Sequence, residues 1–230
     1  MTAIFVALTY IFTAFINVRL PIAANGGLIH LGNVPLFIGA IIAFPLAILL
    51  YLTRKNGMYQ NRFVNGLLNI IINVIRSTPF IIMLVCVMPL TKVLVGTRIG
   101  TKAALVPLTI YIAPYLARLM EGALLETKAG IIEAAEAMGA TPLQIVWHFI
   151  LPESLGSLIL TITTGTIGLI GATAMAGYIG GGGIGNIALT YGYQQFNNRL
   201  MFFTVLILII VVQLIQNLGT WASAKIRRAR

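Results

Sequence analysis

The side chains that could take part in acid–base chemistry are few, and all the acidic ones fall in one stretch. The 230-residue sequence contains five acidic residues and no Asp. They are Glu121, Glu126, Glu133, Glu136 and Glu153. Paired carboxylates act as acid and base where the environment raises one pKa. We interpret Glu121 and Glu126 as part of a solvated loop, so the sequence predicts no catalytic carboxylate pair.

Other catalytic and metal-binding arrangements also lack the residues that they require. His30 and His148 are isolated from each other, and Cys86 lies in an apolar run, where we expect it to pack as a small hydrophobic side chain. A zinc site needs a cluster of such ligands. The phosphate-binding pattern G-x-x-x-x-G-K-[ST] is absent. The glycine run 180–183 is not followed by the required Lys, and we interpret it as a turn. We therefore expect a chain that is not an enzyme and holds no metal or cofactor.

Composition indicates a membrane protein. Hydrophobic residues make up 59% of the chain, charged residues 9%, and the mean hydropathy is +0.97. Such values are typical of a polytopic membrane protein rather than a soluble domain. The net charge of +10 is spread over the ends of apolar runs. Bases placed there orient helices in the bilayer, so we expect a lipid environment and no nucleic-acid partner.

Five apolar stretches are long enough to cross a membrane as helices. They are residues 36–53, 66–90, 103–120, 156–178 and 200–221. A sixth stretch, residues 3–18, would reach only about 24 Å as a helix. Basic residues after the first span and in the tail 225–230 place both segments in the cytoplasm. The sequence thus predicts an all-α, polytopic transmembrane helical bundle with five spans, or six if residues 3–18 also cross.

The acidic stretch between the third and fourth spans has its own helix signals. Residues 131–138 predict a short helix, and Gly139 suits the left-handed position that ends one. Thr141 to Gln144 predict a capping box with Pro142 at the first helical position. A second helix then runs to Leu151, where Pro152 breaks it or starts the next one. A helix, a tight turn and a second helix would present a shaped surface outside the membrane.

The same stretch resembles a known family. Glu133-Ala134-Ala135, Gly139 and Leu151-Pro152 have the spacing of the EAA loop of ABC-importer permeases, with Phe149 where the pattern has Ile. Further segments resemble the methionine permease subunits of type I ABC importers. These segments are residues 76–80, 95–97, 106–109, 137–142 and 191–193. The resemblance extends from about residue 45 to the C-terminus.

The resemblance implies a transport mechanism. Residues 121–153 would be the cytoplasmic coupling loop that docks on two copies of an ABC ATPase, which would bind ATP and Mg²⁺. Glu133 would meet basic or polar groups there, Ala134 and Ala135 would allow close approach, and Gly139 would set the turn. Trp147 and His148 stand where the family often has basic residues. Two copies of the chain would form the pore in the bacterial plasma membrane, and a lipid-anchored binding protein would deliver D- and L-methionine.

Candidates for the translocation path come from polar or broken parts of the spans. They are Ser77, Thr78, Pro79, Met175 and Tyr178, each of which also has a purely structural interpretation. Arg76 lies in the second span, where an ionisable residue indicates function unless its side chain extends to the interface.

The first 35 residues depart from the methionine permeases. Residues 15–35 instead resemble the start of the substrate-capture subunits of energy-coupling-factor vitamin transporters. A fused, alternative or designed N-terminus and a divergent extra helix are both compatible with this pattern. The domain prediction is a divergent segment 1–35 followed by a permease domain 36–230.

Two alternative functions remain open from sequence. The chain could be a permease for another amino acid or small organic solute, or a non-transporting membrane scaffold that uses the acidic stretch for docking. Proton coupling is disfavoured, because carriers of that kind place carboxylates inside their spans and every Glu here lies outside the predicted ones.

Overall fold

The computed structural model describes residues 28–228, with side chains from residue 34 onward, and this part of the chain is helical without strands. The α-helices are α1 (Leu28–Thr53), α2 (Arg62–Ser77), α3 (Phe80–Cys86), α4 (Met88–Val95), α5 (Thr101–Leu125), α6 (Ala129–Ala137), α7 (Pro142–Ile145), α8 (Leu151–Ala176), α9 (Ile184–Ile187) and α10 (Asn198–Arg228). Two π-helical turns, Val146–Ile150 and Ala188–Tyr193, and a 3₁₀ turn, Gly177–Ile179, complete the order. The predicted stretch 3–18 and most of the segment 15–35 lie outside the described residues.

Four helical stretches are long and apolar enough to cross a membrane. They are Val34–Thr53, Thr101–Leu125, Pro142–Ile179 and Asn198–Arg228. The predicted span 66–90 is not one straight helix, because α2 and α3 meet at a bend of 104°. Pro79 follows Thr78, whose backbone is extended, as expected before a proline. The all-α polytopic architecture is confirmed, and residues 28–228 contain four helical stretches that could cross a membrane, or five if the bent pair is counted.

Helix α5 lies at the centre of the bundle and packs against α1, α2 and α8. Its core side chains Ile112, Leu116 and Met120 are fully buried. Small residues allow the helices to approach closely. A side chain at Gly39 of α1 would overlap Ile112, and one at Gly165 of α8 would overlap Leu116.

Helix α10 packs on α8 along one narrow face and exposes the rest. A side chain at Gly219 would overlap Thr163 of α8, so the two backbones are in close contact there. The outer face is apolar and exposed, with Phe202, Ile209 and Leu214 more than half exposed. An apolar outer surface on a long helix is what a lipid environment requires.

Candidate functional site

The acidic stretch folds into two short helices joined by a tight turn. Helix α6 ends at Ala137, and Gly139 has φ +78°. The Gly139 N–H donates to Glu136 O at 2.9 Å, and the Ala140 N–H donates to Ala135 O at 3.1 Å. This pair of bonds is a Schellman motif, which needs a left-handed residue after the helix. The predicted helix end at Gly139 is confirmed.

The second short helix starts with the predicted capping box. The side chain of Gln144 accepts a hydrogen bond from the Thr141 N–H at 2.8 Å, and the Thr141 hydroxyl accepts one from the Gln144 backbone. Pro142 occupies the first helical position, where its missing N–H costs nothing.

Of the two alternatives predicted for Pro152, the break is wrong and the start of the next helix is confirmed, because α8 begins at Leu151 with Pro152 in its first turn. Helix α7 continues through the π-helical turn Val146–Ile150 into α8 as one helical stretch, Pro142–Ile179. Pro152 has no N–H to donate, and its ring would clash with the carbonyl of His148 in a regular helix. The Leu151 N–H instead bonds Val146 O, five residues back. The wider turn lets the backbone accommodate the proline without ending the helix.

The six residues of the family pattern have two different environments. Ala135 is fully buried and Leu151 is 3% exposed, so one side of each helix packs against the bundle. Glu133, Ala134 and Gly139 are exposed, and Pro152 is half-buried. Met138 and Leu143 are also exposed, although both are large and apolar. The exposed side therefore combines carboxylates with apolar groups, a composition suited to a protein partner.

A groove of about 290 Å³ separates the loop after α1 from α6. On one wall the Arg54 guanidinium lies 4.5 Å from the centre of the Tyr51 ring, and Arg54 Nε has no hydrogen-bond partner among residues 28–228. Glu133 and Glu136 line the other wall. Neither carboxylate forms an ion pair in the described part of the chain. Charges of both signs therefore meet at the groove, and the two carboxylates remain accessible.

The interpretation of Glu121 as part of a solvated loop is wrong. Helix α5 continues beyond the predicted end of its span to Leu125, so Glu121 is helical and only 7% exposed. Its carboxylate pairs with Arg118 at 2.7 Å, three residues earlier. Arg118 also donates to Asn69 and, at 3.5 Å, to Asn73 of α2. Glu121 therefore joins α5 to α2 and is not available to a partner.

Glu126 belongs to a second network, which sequence reasoning missed. The Ser157 hydroxyl on α8 donates to the Glu126 carboxylate, and Arg227 near the end of α10 donates to Ser157 Oγ at 2.8 Å. Arg227 also lies 3.8 Å from the carboxylate. These residues are far apart in sequence, so no local pattern indicates their contact. The network ties both ends of the acidic stretch to the C-terminal helix.

The candidates for the translocation path lie on neighbouring elements. Ser77, Thr78 and Pro79 form the bend between α2 and α3, while Met175 and Tyr178 lie where α8 ends. Helix α3 packs against α8. Met175 is 45% and Tyr178 62% exposed, so both side chains are accessible from outside the bundle.

Metal binding has no support in the described residues. No group of three His, Cys, Asp or Glu side chains converges between residues 28 and 228. The Nδ1 atom of His148 lies 3.2 Å from Gln144 O, within its own helix.

Comparison with known proteins agrees with this architecture. Residues 52–228 match the family described as the binding-protein-dependent transport system inner membrane component. The probable D-methionine transport system permease protein MetI of Vibrio cholerae is 44% identical over 191 residues, 83% of this chain and 84% of that protein. The methionine import system permease protein MetP of Bacillus subtilis is 45% identical over 171 residues, 74% and 77% of the two chains.

Solved structures give the same result. A chain from inward-facing conformations of the MetNI methionine ABC transporter superimposes with a TM-score of 0.82 at 43% identity, covering 86% of this chain and 92% of that one. The family match over residues 52–228 includes α2 to α10 and the helix–turn–helix at residues 129–145. The chain belongs to the family of inner-membrane components of binding-protein-dependent transport systems.

Proposed function

We propose that this chain is the permease subunit of an ATP-driven importer that moves methionine, as both D- and L-isomers, into the cytoplasm. The observation that carries the proposal is the exposed surface of α6 and α7, on which Glu133 and Glu136 form no ion pair with a described residue. The relatives named for methionine transport support the choice of solute.

The surface around the Gly139 turn is the docking site in this proposal. Two copies of a cytoplasmic ABC ATPase bind ATP and Mg²⁺, and each receives one helix–turn–helix in a groove. Glu133 meets basic or polar groups of the ATPase, Ala134 allows close approach, and Met138 adds apolar contact. The side chains of Ala135, Leu151 and Pro152 are buried or half-buried, so they pack against the bundle and support the docking surface.

Alternating access follows from this docking. Closure of the two ATPases on ATP draws the docked helices together and switches the pore between inward-facing and outward-facing states. The coupling is the difference in the affinity of each state for its ligands. Two copies of the chain, each using residues 36–230, enclose the pore, and an extracytoplasmic binding lipoprotein delivers the solute. Ser77, Thr78, Pro79, Met175 and Tyr178 contribute to the path.

The test is uptake by the assembled transporter. The chain is co-expressed with its ATPase and binding protein, purified and reconstituted, and labelled methionine uptake is measured with and without ATP. We expect ATP-dependent uptake in the unaltered protein. Glu133→Arg should abolish co-purification of the ATPase and uptake together, because the substitution reverses the charge at the docking surface.

The matched control places the same side chain elsewhere. Gln194→Arg alters an exposed residue after α9, away from α6, and should leave both readouts unchanged. ATP-dependent uptake that persists in Glu133→Arg would contradict the docking role. Competition by unlabelled amino acids identifies the solute, and ATP hydrolysis without movement of any solute would favour a docking scaffold instead.

A further inference from the structure

Helix α2 carries a polar stripe along its whole length. Asn65, Asn69 and Asn73 repeat every four residues, and Arg76 falls on the same side, within an arc of about 80° at about 100° per residue. The opposite side is apolar and exposed, with Val74 62% exposed. One face of α2, which belongs to the bent helix pair that could form a fifth span, is therefore polar over several turns.

The half of the stripe near the start of α2 is satisfied within the bundle. The Asn65 side chain donates to Leu50 O at 3.2 Å, and the Asn69 side chain donates to Asn65 Oδ1 at 2.8 Å. Arg118 of α5 then donates to Asn69. These bonds join α1, α2 and α5, so they have a structural role.

The other half of the stripe is joined to the described bundle only through Asn73, which accepts a long hydrogen bond from Arg118 at 3.5 Å. Asn73, Arg76 and Ser77 are exposed, and the Arg76 guanidinium forms no hydrogen bond or ion pair between residues 28 and 228. All five carboxylates of the chain lie at positions 121–153. Arg76 lies 14 residues, or about 21 Å, along α2 from its start. An arginine at such a depth faces protein or a water-filled cavity rather than lipid.

Helix α5 supplies an aromatic wall beside this arginine. Arg76 lies seven residues after Asn69, and it is close enough to Tyr111 of α5 for its charge to act on the Tyr111 hydroxyl. The Tyr111 and Tyr115 rings stack with centroids 6.0 Å apart, and the Phe80 ring meets Tyr111 edge-on at 5.4 Å. Tyr111 and Tyr115 are both half-buried. An unpaired guanidinium and an aromatic surface thus lie side by side at the bend between α2 and α3.

We propose that Arg76 binds the carboxylate of the transported amino acid during its passage, while Tyr111 and Tyr115 contact its side chain. This inference rests on the proposed import function. A guanidinium forms paired, charge-assisted hydrogen bonds with a carboxylate. Aromatic rings make favourable contacts with a thioether sulfur, so the site fits an amino acid whose side chain is apolar and contains sulfur.

The first experiment tests whether the face of α2 that carries Arg76 is accessible to water. Arg76→Cys and Val74→Cys are each introduced into a Cys86→Ala background, because Cys86 is exposed and not packed as its apolar neighbours predicted. The reconstituted transporter is treated with a charged, membrane-impermeant methanethiosulfonate. The reagent needs a thiolate, which forms in water and not in lipid. We expect rapid labelling of Arg76→Cys and slow labelling of Val74→Cys on the opposite face; equal, slow labelling of both would overturn the proposal.

The second experiment asks whether the positive charge matters. Arg76→Cys should lower ATP-dependent methionine uptake by about tenfold or more, because a charge-assisted bond to the solute is lost. Modification with an aminoethyl methanethiosulfonate restores a positive charge and should recover uptake. The sulfonatoethyl reagent is similar in size but negative, and should not. Recovery with both reagents, or with neither, would overturn the proposal.

A third comparison separates binding from folding. Arg76→Lys keeps the charge and should retain most of the uptake, whereas Arg76→Gln should lose it while ATP hydrolysis and co-purification of the ATPase persist. Normal uptake by Arg76→Gln, or loss of assembly in both variants, would contradict the proposal that Arg76 binds the carboxylate of the solute. Absence of ATP-dependent uptake in the unaltered transporter would instead contradict the import function itself.

Discussion

Arg227 and Ser157 are 70 positions apart in sequence, yet the Arg227 guanidinium donates to the Ser157 hydroxyl at 2.8 Å. Ser157 in turn donates to the Glu126 carboxylate. Glu126 follows α5 and Ser157 belongs to α8, so this chain of bonds closes the base of the acidic stretch and attaches it to α10. The stem of Arg227 crosses α8 at Gly156, where an added Cβ would lie 2.7 Å from its Cγ.

We expect Arg227→Gln to weaken coupling without preventing assembly. Arg227 is 56% exposed and Glu126 63% exposed, and an exposed ion pair contributes about 0.5–1 kcal/mol. Methionine moved per ATP hydrolysed should therefore fall about two- to fivefold. Arg228→Gln removes a neighbouring exposed charge with no described ion pair and is the control. An unchanged ratio in Arg227→Gln would show that the network does not transmit the motion of the ATPase.

Gly139→Ala tests the turn between α6 and α7. An added Cβ meets no atom within 4 Å, so the cost comes only from the left-handed backbone, about 1–2 kcal/mol. We expect weaker ATPase binding with an unchanged thermal unfolding midpoint of the membrane bundle, because the turn is outside the core. Gly130→Ala, also in open space but with no positive φ, should bind the ATPase normally. Equal affinity of the two variants would contradict the role of the turn.

Glu121→Gln tests the buried ion pair on α5. The substitution leaves Arg118 with its two asparagine partners but no compensating charge, which we expect to destabilise the bundle by about 2 kcal/mol. Thermal unfolding of the detergent-solubilised protein measures this change. Glu136→Gln alters an exposed carboxylate and should change stability by less than about 0.5 kcal/mol. A Glu121→Gln protein as stable as Glu136→Gln would contradict the assignment of Glu121 to the interior.

Gly219→Ala tests the contact of α10 with α8. The new methyl group would overlap Thr163, so the helices must separate, at a cost of about 1–3 kcal/mol. Gly171→Ala on α8 adds the same group where no atom lies within 4 Å and should raise stability slightly, since alanine favours helix over glycine. Thermal unfolding of the two variants provides the comparison. The prediction fails if Gly219→Ala unfolds at or above the temperature of the unaltered protein.

The parts of the structure that local sequence determines were predictable. The Gly139 turn and the capping box at Thr141 each depend on no more than six consecutive residues, and both are confirmed. Apolar runs likewise indicated the spans, since hydropathy reflects the preference of a helix for lipid. The choice between five and six spans depends on residues 3–18, which lie outside the described part.

The parts that depend on tertiary contact were not predictable in this way. A glutamate is normally exposed, but Glu121 can be buried because it pairs with Arg118, which also donates to Asn69 of α2. The sequence alone does not show that α2 and α5 bring these residues together. Pro152 normally ends a helix, and only the π-helical turn before it allows the helix to continue. The Asn65, Asn69 and Asn73 stripe was the one missed feature with a visible signal, its four-residue spacing.

The uninterrupted helix Pro142–Ile179 has a mechanical consequence. It is 38 residues long, or about 57 Å at about 1.5 Å per residue. A rigid rod of that length pivoting at its Pro142 end moves its far tip by about 1 Å for each degree of tilt. A rotation of only a few degrees at the Pro142 end, where the proposed ATPase would dock, would therefore act as a lever and displace Met175 and Tyr178 by about the width of an atom or more.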